Sequence, residues 1–205
     1  MHGLPALYAI VDPLDGERAP AALAALLLAG GARLLQLRLK PACSRDLLAA
    51  AERIRPLAHA AGALFLVNDR PDVARAVEAD GVHLGQDDLP VAAARRVLGP
   101  GRMIGVSTHD VDEARAAATA GADYVAVGPI YATTSKEHPL PPQGLELIRA
   151  VRAAVPCPIV AIGGITAETA PLVRAAGADA VAMIAALVRA ADPAAAVREA
   201  LARIG

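Results

Sequence analysis

Ala120-Gly121-Ala122-Asp123-Tyr124-Val125-Ala126-Val127 ends an Ala-rich amphipathic segment and begins a short apolar run with no spacer between them. A glycine just past the last helical turn supplies a left-handed cap, and four to six apolar residues after it suit a buried strand. The same unit returns three times. Leu28-Ala29-Gly30-Gly31-Ala32 precedes the run 33–37, Glu78-Ala79-Asp80-Gly81 precedes 82–84, and Ala176-Gly177-Ala178-Asp179 precedes 180–184.

Working outward from these units gives eight candidate strands, at 7–11, 33–38, 64–67, 81–85, 103–106, 123–127, 158–162 and 179–184, each followed by a helical stretch. The last helix, at 192–204, opens with Asp192 as N-cap and Pro193 at its first position. Strands that alternate with helices make βαβ units and a parallel sheet. A doubly wound open sheet usually carries a Gly-rich turn after its first strand; here that place reads Asp12-Pro13-Leu14-Asp15-Gly16. The expected fold is therefore α/β: a single compact (β/α)8 TIM barrel, with residues 1–205 as one domain.

Bulk composition narrows the functional class. The chain has 205 residues, a formal net charge of −1 and 2% aromatic residues, which suits neither the basic field nor the stacking rings of a nucleic-acid surface. No apolar run is long enough to cross a bilayer, and the first residues lack a signal-peptide pattern, so no membrane partner and a cytoplasmic location are expected. Cys43 and Cys157 make neither a disulfide framework nor a zinc pattern. Lys40 and Lys136 are the two lysines, Asn68 is the lone asparagine, and Ser44, Ser107 and Ser135 are the serines. Against an Ala- and Arg-rich background, their positions carry information.

Active sites of such barrels lie at the C-terminal ends of the strands. In Leu35-Gln36-Leu37-Arg38-Leu39-Lys40 a period of two puts the leucines on one face and Gln36, Arg38 and Lys40 on the other, toward the barrel mouth. Asn68-Asp69 ends the third strand, and Gln86-Asp87-Asp88 follows the fourth. Asp69 and Asp88 suit a Mg²⁺ site, since that ion takes one or two carboxylates and completes its shell with water and phosphate oxygens. Helix capping ahead of Pro71 and Pro90 is the competing account.

After the fifth strand comes Ser107-Thr108-His109-Asp110; Thr108 and Asp110 suit capping as well as catalysis, and His109 reads as a loop residue. His83 reads as a hydrogen-bonded barrel residue rather than a ligand. The long sixth connection holds Thr133-Thr134-Ser135-Lys136, hydroxyls ahead of a compact cation, a pattern suited to phosphate. Gly163-Gly164 and Ile184-Ala185 follow the seventh and eighth strands, where barrels of this kind cradle phosphate with backbone N–H groups. The Gly-Gly pair lets a backbone come close.

These motifs, in this order and spacing, resemble the thiamine-phosphate synthase (thiamine-phosphate pyrophosphorylase) family over nearly the whole chain. The resemblance rests also on residues 81–90, on Gly128-Pro129-Ile130, on Pro142-Gln143-Gly144-Leu145-Glu146 and on residues 161–165. It implies a transferase that condenses 4-amino-2-methyl-5-(diphosphooxymethyl)pyrimidine with thiazole phosphate, giving thiamine phosphate and diphosphate by a Mg²⁺-assisted dissociative substitution. It further implies that Gln36, Arg38, Lys40, Asn68, Ser107 and Lys136 bind the pyrimidine diphosphate, with Lys136, Ser107 and Arg38 catalytic. Thr133, Thr134, Ser135, Gly164, Ile184 and Ala185 would bind the thiazole phosphate, and Asp69 and Asp88 the Mg²⁺.

Two positions depart from the family. Many members carry an acidic residue where Leu39 stands, but alternation turns that side chain away from the mouth. A serine is usual at Ala185, so a hydroxyl is lost there while the backbone N–H stays. The partners implied are small phosphorylated molecules; a homo-oligomer is compatible with the sequence, which does not disclose the oligomeric state. A TenI-like thiazole tautomerase and a non-catalytic, phosphate-binding regulator share this barrel. Retention of Lys40, Asp69, Asp88 and Lys136 favours the transferase.

Overall fold

The computed structural model describes residues 3–205 apart from 15, 17, 41, 134 and 136–139. Its first half runs β1 (Leu7–Val11), α1 (Pro20–Ala29), β2 (Leu34–Leu37), α2 (Ser44–Ala60), β3 (Leu64–Asn68), α3 (Pro71–Ala76), β4 (Gly81–Leu84) and α4 (Val91–Leu98). The second half runs β5 (Met103–Thr108), α5 (Val111–Thr119), β6 (Tyr124–Val127), α6 (Gly144–Ala154), β7 (Ile159–Ile162), α7 (Ala170–Ala175) and β8 (Ala180–Met183). A short α8 (Ala185–Val188) and a final α9 (Pro193–Ile204) complete the chain. The strands close in chain order into one parallel barrel, β8 pairing back to β1.

All eight expected strands are present, the first with the expected bounds and the others with one or both ends shifted by at most two residues. β5 runs on to Thr108 because its pairing with β6 continues to Val127. β2 stops at Leu37, one residue early, although the Arg38 N–H still donates to the Val11 carbonyl at 2.9 Å. Asp192 caps α9 by accepting the Ala195 N–H at 3.0 Å, as its sequence predicts.

The repeated Gly stop is present with one correction. Gly31, Gly121 and Gly177 hold φ of 107°, 90° and 114°, the left-handed caps. In the fourth copy Glu78 takes that conformation at 55°, and Gly81 instead opens β4. A Cβ on Gly81 would lie 2.3 Å from the Met103 carbonyl oxygen, so this glycine serves close strand approach rather than helix termination.

Three of these units also carry a clasp. Asp80, Asp123 and Asp179 each donate a backbone N–H to the first or second residue of the preceding strand and accept that residue's N–H on a carboxylate oxygen. The partners are Phe65, Ile104 and Ile159, with N–H to carboxylate distances of 2.8, 2.8 and 2.7 Å. Arg95 pairs with Asp123 at 2.6 Å, and Arg152 with Asp179 at 2.9 Å. These contacts lie at the N-terminal end of the barrel, away from the strand mouths.

Alternation along each strand divides the core in two. Leu35, Leu37, Phe65, Val67, Val125 and Val127 face the helices, while Tyr8, Ile10, Leu34, Leu66, Tyr124, Val160 and Ala182 fill the barrel. Among the described residues no helix is long and apolar enough to cross a membrane.

Candidate active site

At the C-terminal ends of the strands lies a cavity of about 550 Å³. Gln36, Arg38 and Lys40 reach it from β2 and its end, and Asn68 and Asp69 from the end of β3. Asp88 comes from the loop after β4 and Ser107 from β5, facing Thr133 and Ser135 beyond β6. Gly164 after β7 and Ile184 and Ala185 after β8 close the opposite wall. Twelve of the fourteen residues singled out from sequence thus line one cavity; Thr134 and Lys136 lie outside the described residues. Leu39, by contrast, packs with the hydrophobic layer under the helices, as alternation requires.

Charge is held in pairs here. Arg38 forms an ion pair with Asp12, a residue that sequence reasoning missed. Asp12 is 4% exposed, and burial pushes its carboxyl above the ordinary range although Arg38 and Lys40 draw it down. The signal was present: Asp12 follows five apolar residues of a strand, the place where the other site residues were found. The Lys40 ammonium stands 2.6 Å from Asp69.

Neither acidic residue caps a helix. Arg70 precedes α3 and Pro90 precedes α4, and no side chain caps either helix. Asp69 instead has φ of 64°, a conformation uncommon outside glycine, with its N–H on the His83 carbonyl at 2.7 Å. Asp88 accepts the Gly85 N–H at 2.7 Å. Burial, and after it the facing Asp69 carboxyl, raises Asp88 above its usual range. Two carboxyls turned toward each other at a strand mouth make a site that a cation would relieve.

Beneath the cavity runs an unbroken hydrogen-bond chain. The Gln36 amide donates to the Tyr8 hydroxyl at 2.7 Å, and that hydroxyl lies 3.1 Å from the Tyr124 hydroxyl. Tyr124 lies 2.9 Å from His83 Nδ1, and His83 Nε2 lies 2.9 Å from Ser107 Oγ. Both tyrosines escaped the sequence reading, although period-two alternation turns Tyr8 and Tyr124 into the barrel. His83 is the hydrogen-bonded barrel residue expected. After β5, Asp110 caps α5 by accepting the Glu113 N–H at 2.8 Å, while Thr108 is buried and donates to the Ala126 carbonyl at 3.3 Å. His109 faces the cavity with Nδ1 held 2.9 Å from Glu113.

The Gly163-Gly164 pair does admit a close backbone, that of the loop after β6. Ile130 and Tyr131 donate to the carbonyls of Ile162 and Gly163, each at 2.9 Å. A Cβ on Gly163 would meet Pro129 Cα at 2.6 Å, and one on Gly164 the Ala132 carbonyl at 2.3 Å. This packing sets where the segment bearing Thr133 and Ser135 departs.

The chain matches the family model described as thiamine monophosphate synthase over residues 7–187. It is 52% identical to the thiamine-phosphate synthase of Moorella thermoacetica, over 94% of this chain and 92% of that one. With the thiamine-phosphate synthase of Methanoculleus marisnigri it shares 53% identity at the same two coverages. The solved thiamine phosphate pyrophosphorylase of Pyrococcus furiosus superposes with a TM-score of 0.87 and 36% identity, covering 97% of this chain and 94% of that one.

Proposed function

The chain belongs to the thiamine monophosphate synthase family, and from that premise we propose that this transferase joins an aminopyrimidine methyl diphosphate to thiazole phosphate with the help of Mg²⁺. The C–O bond at the pyrimidine methylene breaks, and its electron pair leaves with the diphosphate. The thiazole nitrogen then gives its lone pair to the methylene carbon, forming the thiazolium of thiamine phosphate. No proton is consumed, and no nucleophile from the protein is required.

What the chain's residues supply is charge and placement. Arg38, fixed by Asp12, and Lys40, fixed by Asp69, present cations to the leaving diphosphate. Lys136 adds a third cation in this reading. Preorganised charge of this sort is where most catalytic stabilisation arises when charge develops on a leaving group. Gln36, Asn68 and Ser107 hold the pyrimidine, and Thr133, Thr134, Ser135 and the backbone at Gly164, Ile184 and Ala185 hold the thiazole phosphate.

Asp69 and Asp88 are the donors for Mg²⁺. Two carboxylates would leave the rest of its shell to water and diphosphate oxygens, as is usual for this ion. When bound, Mg²⁺ neutralises diphosphate charge and so improves the leaving group.

The observation that carries this reading is the convergence of Arg38, Lys40, Asp69 and Asp88, from three strand ends, on one cavity. Incubation with both substrates and Mg²⁺, followed by oxidation of product to fluorescent thiochrome, tests it. Product is expected, with turnover falling at least ~100-fold in Asp69→Ala or Lys136→Ala. Full activity in Lys136→Ala removes the loop lysine from the mechanism, and no product from folded wild type favours the tautomerase.

A further inference from the structure

The chain from Gln36 to Ser107 crosses the barrel through five strands, β2, β1, β6, β4 and β5, and its members have few protons to share. A phenol has one O–H, a neutral imidazole one N–H and a serine one O–H. Since the Gln36 amide donates to Tyr8, the proton of Tyr8 goes on to Tyr124 and that of Tyr124 to His83 Nδ1. The imidazole proton then sits on Nε2 and points at Ser107 Oγ, which leaves the serine proton for the cavity. Reversing one bond requires reversing all of them. An imidazolium in the chain would strand a phenol proton in the core, at the usual cost of a buried unsatisfied donor.

The surroundings are shaped around this chain. A Cβ on Gly105 would fall 1.9 Å from Tyr124 Cζ and 2.3 Å from its hydroxyl, so a glycine in β5 makes the room that the phenol occupies. The rings of His83 and Tyr124 stack at 18° with centroids 5.7 Å apart, and Tyr8 meets Tyr124 edge-on at 79°. The imidazole therefore has its plane set by stacking and its tautomer set by the phenol.

We propose that Tyr8, Tyr124 and His83 are positioning residues that couple Gln36 to Ser107, so that Gln36 turns an acceptor and Ser107 a donor toward the same ligand. This rests on the reading given under Proposed function, in which both residues hold the pyrimidine. A 4-aminopyrimidine offers the matching pair, an amine that donates and a ring nitrogen that accepts. The two ends then work as one recognition element although they lie on β2 and β5.

Two measurements test this. Long-range ¹⁵N–¹H correlation spectra of the free protein, with the His83 signals assigned by their loss in His83→Gln, should show a neutral imidazole protonated on Nε2 at pH 7. Tyr124→Phe should convert it to a tautomer mixture. An Nδ1–H tautomer or an imidazolium in wild type overturns the assigned polarity.

The second is a double-mutant cycle of Gln36→Ala and Ser107→Ala, read by calorimetric binding of the pyrimidine diphosphate. In wild type the two losses should be non-additive by roughly tenfold, about 1.4 kcal/mol. In a Tyr124→Phe background they should multiply simply. Tyr8→Phe cuts the same chain from its other side and replaces Tyr124→Phe if that variant does not fold. Additivity in wild type overturns the coupling while leaving the functional reading intact. No binding of the pyrimidine diphosphate by folded wild type overturns the functional reading and this proposal with it.

Discussion

The Lys40 ammonium lies 2.6 Å from the Asp69 carboxylate, with 55% of the lysine side chain and 18% of the aspartate accessible. A pair this wet adds little to stability, in the range of ~0–1 kcal/mol. In the proposed reaction its part is to hold a cation beside the carboxylates at the cavity mouth. Lys40→Met should therefore unfold in urea within about 1 kcal/mol of wild type, yet lose on the order of 10²–10³ in turnover by the thiochrome assay. Turnover within threefold of wild type would remove Lys40 from leaving-group stabilisation.

Asp12 makes the opposite case, a buried carboxyl that ionises less readily in the fold than in water although Arg38 pairs with it. Its raised value arises mainly from burial. The folded state therefore holds this proton to a higher pH than the unfolded chain does. The resulting stabilisation is complete below the unfolded value near 4 and is lost as pH rises through the higher folded one. Urea midpoints of wild type and Asp12→Asn, compared from pH 4 to 6.5, should show the wild-type advantage shrinking as pH rises. An advantage that grows with pH contradicts the assignment.

Asp179 sits at the other end of the barrel and should separate stability from activity. Asp179→Ala removes the acceptor of the Ile159 N–H and the partner of Arg152. A loss of about 1–3 kcal/mol in urea unfolding is expected. Because catalytic groups of such barrels gather at the opposite face, kcat/KM at 25 °C should stay within about twofold of wild type.

Ala185 opens α8 at the edge of the cavity. Ala185→Ser adds the hydroxyl that the family resemblance leads one to expect at this position. One added hydrogen bond to an anionic ligand is worth ~1.5–3 kcal/mol at best, and ordering the serine rotamer reduces that. The KM for thiazole phosphate should fall by roughly threefold or more, with the KM for the pyrimidine diphosphate unchanged. A rise in the thiazole KM shows that the site has no room for the oxygen.

The barrel was legible because four of its eight strands are announced by the same short-range signal and the others by their spacing from it. Residues 120–127 carry cap, strand and clasp within eight positions, and a parallel barrel only repeats that unit. The inward set of β2 was legible for the same reason, since Gln36 differs from Leu35 and Leu37 by the pleat alone. Glu78 was not, because a left-handed glutamate leaves no compositional mark and Gly81 beside it looked like the stop. Asp12, Tyr8 and Tyr124 were missed on other grounds. Their partners lie 26, 28 and 41 residues away or further, and those contacts exist only once β1 has paired with β2 and the sheet has curled to bring β4 and β6 together. Only closure shows, too, that Asp69 and Asp88 face each other rather than cap helices.

The three aspartate clasps join β3 to β4, β5 to β6 and β7 to β8, alternate seams of the ring. The fold is thus stitched in two-strand modules. A chimaera that exchanges segments with a relative at residues 99–101 would inherit all three backbone clasps whole and part, of their ion pairs, only that of Arg95 with Asp123, whereas a crossover between β3 and β4 would part Asp80 from Phe65. Shuffled libraries of this barrel should tolerate junctions at the first kind of seam and lose folded members at the second.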